Sequence, residues 1–102
     1  MDFDLSKIEG FDWNKGNLEH IKKHNVDYRE CEQVFFNKPI IVNEDERHSK
    51  LEERFQALGQ ANNGRLLFIA FTIRENKIRI ISSRDQNRKE KTRLPKRGGG
   101  NK

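Results

Sequence analysis

An α+β fold, with helices covering one face of an antiparallel sheet, is predicted by three features of this sequence. Apolar residues recur at helical spacing before residue 37, at strand spacing from residue 39 to 83, and give way to a basic helical pattern after it. Turn residues punctuate the changes of period.

The elements follow in order. Phe11 and Trp13 alternate with Asp12 in a short strand-like step. Asn14 is a plausible N-cap for KGNLEHIKKH, which ends at Asn25, a residue that tolerates the left-handed conformation at a helix end. Leu18 and Ile21 are expected to face inwards together. Asp27 caps a second helix, in which Cys31, Val34 and Phe35 are spaced for a buried stripe, and Asn37 and Pro39 stop it. PIIV reads as a short strand and NEDERHSK as an exposed charged loop. LEERFQALG alternates apolar with polar, NNG turns, and RLLFIAFTIR is a long apolar run. ENK makes the next turn and KIRIISS the last strand, for a sheet of three to four strands. Asp85 then begins a basic helix, DQNRKEKTRL, that Pro95 ends.

The chain is long enough for one core only, so a single domain is expected over 10–94, with a loosely ordered leader at 1–9 and a flexible tail at 95–102. Charged residues reach 36%, yet seven Phe and one Trp argue for a compact, aromatic-rich core. No run approaches the length of a membrane span, and MDFDLSKIEG is acidic where a signal peptide is basic and then apolar. These features predict a cytoplasmic protein with no membrane partner. One cysteine, Cys31, excludes an internal disulfide and a thiolate zinc site.

Charge is unevenly spread. From residue 77 onward there are ten Lys and Arg against two acids, a balance of +8, while residues 1–76 carry −3. Such asymmetry points to a polyanion-binding surface, which draws in phosphates by long-range attraction and counterion release. Arg88, Lys89 and Lys91 would carry much of that attraction.

Strand parity puts Arg54 and Arg79 on one face, with Ile78, Ile80 and Ser82 opposite Arg79, Ile81 and Ser83 in the last strand. Arg74 and Arg84 end or leave strands, so four guanidinium groups are expected to converge at one sheet edge. Planar, always charged forks of donors suit phosphate. Arg54 and Arg79 can instead pair with Glu52, Glu53 or Glu75 across strands. His20 and His24 share metal-ligand spacing, but no third ligand accompanies them, so neither a metal nor a cofactor is expected. His48, in a polar loop before Glu53 and Arg54, is a candidate mobile acid or base. No familiar catalytic signature is present. What remains suits RNA cleavage without metal, because the substrate supplies its own 2′-OH and the protein need only move protons and stabilise charge. In this reading Arg79 and Arg84 stabilise charge, Arg54 positions phosphate, and His24, His48 or Glu53 is the base.

The ordered blocks FDWNKGNLEHIKKHNV, VF, EERFQALG, RIISSR and KE resemble the BrnT family of bacterial toxins, relatives of RelE-type ribonucleases, over residues 10 to about 93. The resemblance implies a RelE-like fold and a ribonuclease that arrests translation. It also implies a cognate antitoxin, a ribbon-helix-helix protein through which the pair reaches operator DNA. Positions that match the family are Trp13, Lys23, His24, Glu53, Arg54, Arg79, Ser82, Arg84 and Glu90. Asn25 stands where the family has Gly, Asp12 precedes Trp13 instead of following it, and Leu94 falls where a Tyr often ends the last helix. The catalytic set is thus His24, Glu53, Arg54, Arg79 and Arg84, and the RNA-binding set is Lys23, His48, Arg74, Arg88, Lys89 and Lys91. The competing reading is a subunit of a repressor complex that binds RNA or antitoxin without cutting.

Overall fold

The helices begin where the sequence supplies acceptors for their first N–H groups. In the computed structural model, which describes residues 4–48 and 52–94, α1 (Lys15–Lys22) is opened by Asn14, whose side chain accepts the Asn17 N–H while Asn17 Oδ1 accepts the Asn14 N–H. Asp27 and Glu30 form the same reciprocal cap on α2 (Tyr28–Phe36). Between them Asn25 takes a φ of 59°, the left-handed turn its side chain tolerates. One helical expectation fails. Ile21 is buried but Leu18 is 38% exposed. The inward place belongs to Asn17, whose Nδ2 donates to the carbonyls of Asp12 and Ile80.

The sheet has five strands in the order β1-β5-β4-β3-β2, one more than expected, and is mixed. The short N-terminal strand expected near Phe11 is β1 (Gly10–Phe11), which joins the sheet as its fifth strand, parallel to the start of β5 (Lys77–Asp85). β2 (Ile41–Glu44), β3 (Arg54–Gln60), β4 (Leu66–Arg74) and β5 run antiparallel to their neighbours. Glu75 and Asn76, both at positive φ, close the β4–β5 hairpin in two residues, the geometry that matches strand twist. Of the expected charged loop, Asn43 and Glu44 belong to β2, a single turn of 3-10 helix spans Glu46–His48, and residues 49 and 50, like residue 51, lie outside the described residues.

Both helices pack on one face. Ile21, Cys31, Val34 and Phe35 meet Phe55, Ala57, Leu67, Ile69, Phe71, Ile78 and Ile80. Phe71 is the centre, with Phe35 edge-on at 5.0 Å and Phe55 stacked at 5.4 Å. Burial pushes the Cys31 thiol up to about 11, so Cys31 acts as a small hydrophobe. Of the expected leader, residues 1–3 lie outside the described residues, and Leu5 and Ile8 pack against the core.

Two local departures shape the other face. Phe71 pairs with Ile80 and Ala70 with Ser82, so Ile81 is an extra residue in β5. This bulge reverses strand parity: Ser82 joins the face of Arg79, and the buried Ser83 joins Ile80. The second departure concerns Asp85, which ends β5 opposite Leu67 and does not start a helix. Arg65 holds it there through Nε at 2.7 Å. The expected ten-residue basic helix is a single turn, α3 (Arg88–Lys91), capped reciprocally by Asn87 and Glu90. Pro95 and the tail lie outside the described residues.

Candidate active site

The face of the sheet turned away from the helices is rich in arginine at one end, mainly polar at its centre and apolar, with one ion-paired arginine, at the other. Its rows follow from the register. Arg54, Thr72 and Arg79 lie side by side, as do Asn43, Gln56, Ala70 and Ser82, and then Ile41, Leu58, Phe68 and Arg84.

At the first row, Arg54, Arg74 and Arg79 gather around one carboxylate. Arg74 Nε and Nη2 donate to Glu52 at 2.6 and 3.2 Å, and the Arg74 hydrogen bond, with the charges of Arg74, Arg79 and Arg54, holds the Glu52 carboxyl below its usual range. Arg79 Nε stands 3.8 Å from Asp12, which leaves β1 on this side. Thr72 Oγ1 donates to the Glu53 carbonyl at 2.6 Å and fixes the approach to β3.

Arg84 is elsewhere. It sits four residues further along the strands, about 13 Å away at 3.3 Å per residue. Its guanidinium carbon lies 4.2 Å from the Phe68 ring centroid. Nη1 and Nη2 donate to the two Glu90 oxygens at 2.8 and 3.0 Å, and this pairing holds the Glu90 carboxyl below its usual range. Four guanidinium groups therefore do not converge: Arg54, Arg74 and Arg79 lie at one end of the face and Arg84 at the other.

The remaining predicted residues scatter. His24 follows the end of α1 on the helix side of the sheet, where its carbonyl accepts from Arg65 Nη2 at 3.1 Å. Asp85, the strand residue beside Arg65 and His24, pairs with Leu67, five positions along β4 from the Thr72 that pairs with Arg79, roughly 17 Å. Lys23, exposed, is the C-cap at the same end. Glu53 is exposed and has the opposite parity to Arg54. His48 closes its 3-10 turn, and its side chain lies outside the described part of the structure. Arg88, Lys89 and Lys91 are exposed on α3, beside Glu90.

The sequence offers Glu52 only as a cross-strand partner of arginines and points to Glu53 as the site carboxylate; Asp12, Gln56 and Phe68 are not among the expected site residues. Glu52 precedes β3, where no alternation singles it out, and Asp12 reaches Arg79 only through the parallel β1–β5 pairing. Among the described residues, no three His, Cys, Asp or Glu side chains gather in a way that would hold a metal ion, and no helix is long and apolar enough to cross a membrane.

A family model described as the ribonuclease toxin BrnT of type II toxin-antitoxin systems matches residues 11–90. The match takes in Asp12, the three arginines around Glu52, and Arg84 with Glu90. No significantly similar sequence is found among curated proteins.

Proposed function

The chain belongs to the BrnT family, the ribonuclease toxins of type II toxin-antitoxin systems, and we propose that it cuts RNA on the open face of its sheet without a metal ion. The observation that carries this reading is the row in which Arg54 and Arg79 flank Thr72, with Arg74 two residues further along β4 on the same polar face. The substrate's 2′-oxygen attacks the adjacent phosphorus while its proton passes to a base. The P–O5′ bond breaks, the 5′-oxygen takes up a proton, and a 2′,3′-cyclic phosphate remains. Arg54 and Arg79 hold the non-bridging oxygens as charge builds on them, the geometry in which one donor is worth about 10² to 10³ in rate. Asp12, beside Arg79, is the proton acceptor. Glu52 serves to hold Arg74.

A basic, polar face of this kind also suits capture by an acidic or amphipathic segment of the cognate antitoxin, which would exclude RNA by occupying the same arginines. In the same proposal the antitoxin is a ribbon-helix-helix protein that carries the complex to operator DNA, and Arg88, Lys89 and Lys91 add general attraction for RNA.

The test is incubation of RNA with purified, antitoxin-free protein in EDTA. Discrete cleavage with cyclic-phosphate ends is the expected result. Products without that end group, or activity that vanishes in EDTA, overturn the mechanism. Retention of intact RNA points instead to a subunit that binds without cutting.

A further inference from the structure

We propose that Arg84 and Phe68 form a stacking platform for a nucleobase of the RNA, so that Arg84 reads a base and does not bind the reacting phosphate. This rests on the reading that RNA lies across the open face.

Three observations lead to it. First, the edge of the Arg84 guanidinium is already engaged, since Nη1 donates to Glu90 Oε1 and to the Asp85 carbonyl at 3.0 Å, and Nη2 donates to Glu90 Oε2. A phosphate approaching that edge would meet the Glu90 carboxylate, and the two anions repel. Second, the same bonds lock the guanidinium plane over Phe68, 4.2 Å from its centroid, while the Arg84 side chain stays 37% exposed. The outcome is a flat, fixed surface of the kind on which RNA bases stack. Third, the surroundings suit a base. Leu58, buried, and Ile41, half-buried, continue the apolar row across β3 and β2 and back the Phe68 ring. In the row between platform and arginine cluster, Ala70 is small, and Gln56, Ser82 and Asn43 supply donors and acceptors for base edges.

The separation agrees. From Thr72 and Arg79 to Phe68 and Arg84 is about 13 Å along the strands, room for a single strand to hold one phosphate at the arginine cluster and lay a neighbouring base on the platform. A duplex keeps its base faces stacked inside and cannot use such a surface.

The experiment compares binding of two uncleavable probes of equal charge, a deoxyadenosine pentamer and the same pentamer with every base removed. The full chain should prefer the base-bearing probe about ten-fold or more, the scale of one base stacked on an aromatic surface. Arg84→Lys, which keeps the charge and loses the plane, should bring that preference to within about two-fold. Phe68→Leu, which keeps the apolar volume and loses the ring, should do the same. Arg79→Ala should weaken both probes alike and leave the preference intact. A preference that survives in both Arg84→Lys and Phe68→Leu, or one that the wild type never shows, overturns the platform. If the wild type still cleaves RNA and Arg79→Ala abolishes cleavage, the ribonuclease reading stands without it; a wild type that neither cleaves RNA nor binds either probe overturns both.

Discussion

At the scale of single residues, the two ends of the open face differ in how their charges are compensated. Glu90 takes up the charge of Arg84 through two short bonds, whereas at the other end Glu52 bonds Arg74 and feels the charges of Arg79 and Arg54. Asp12 borders that end through Arg79 at 3.8 Å. As the proposed base, Asp12 must be ionised to work. Asp12→Asn should lower the single-turnover cleavage rate by about 10² to 10⁴ and flatten the acid limb of the pH–rate profile. An Asp12→Asn protein with the wild-type profile would remove Asp12 from the mechanism. On the opposite side, Arg65 is structural: it bonds Asp85, Glu30 and the carbonyls of His24 and Asn25, tying the α1–α2 turn to the sheet.

At the scale of elements, what the sequence made legible was local. Asn14 and Asp27 cap α1 and α2 because the acceptor and its N–H lie within three residues, a signal that needs no tertiary partner. Cys31, Val34 and Phe35 are buried as their spacing requires. Arg54 and Arg79 share a face, as their parity implied, because the bulge falls after Arg79. Beyond Ile80 parity misleads, since one extra residue exchanges Ser82 with Ser83 and leaves no mark on the apolar pattern. Leu18 looked like a core residue on hydrophobicity alone, yet the position facing Ile80 needs a donor, and Asn17 supplies it. Asp85 resembled a helix cap because its partner Arg65 is twenty residues away. The convergence of Arg74 with Glu52 was equally out of reach, being set by the β3–β4 register.

Close packing of α2 on β3 gives this level its own test. A Cβ on Gly59 would stand 2.6 Å from Val34 Cγ1, inside any tolerated contact. Gly59→Ala should push α2 off the sheet and lower stability by about 1–3 kcal/mol. An unchanged urea midpoint with an unchanged slope would show that the helix yields freely there.

For the whole molecule, pH and charge act together. The carboxyls of Glu52, Asp85 and Glu90 are all held below their usual range, first by hydrogen bonds from Arg74, Arg65 and Arg84. Each folded-state value lies under the unfolded one, so the stabilisation is fully present above the ordinary carboxylate range near pH 4 and fades as pH falls through the folded values. Denaturant midpoints should be flat from about pH 8 to 5 and drop below about pH 4. A midpoint that rises on acidification would contradict the three pairings.

The two faces of the sheet have separate tasks: one carries the helices and the core, the other carries the arginines and, in the proposal, the RNA. The family positions Lys23 and His24 lie at the helix end and away from the arginine cluster. Single-turnover RNA cleavage by two double variants separates these locations most directly. Arg54→Ala with Arg79→Ala should cost at least about 10³ in rate, beyond the loss expected for one transition-state donor, while Lys23→Ala with His24→Ala should stay within a few-fold of wild type. The reverse pattern, cleavage lost with the helix-end pair and kept without Arg54 and Arg79, would contradict the assignment of the reaction to the open face.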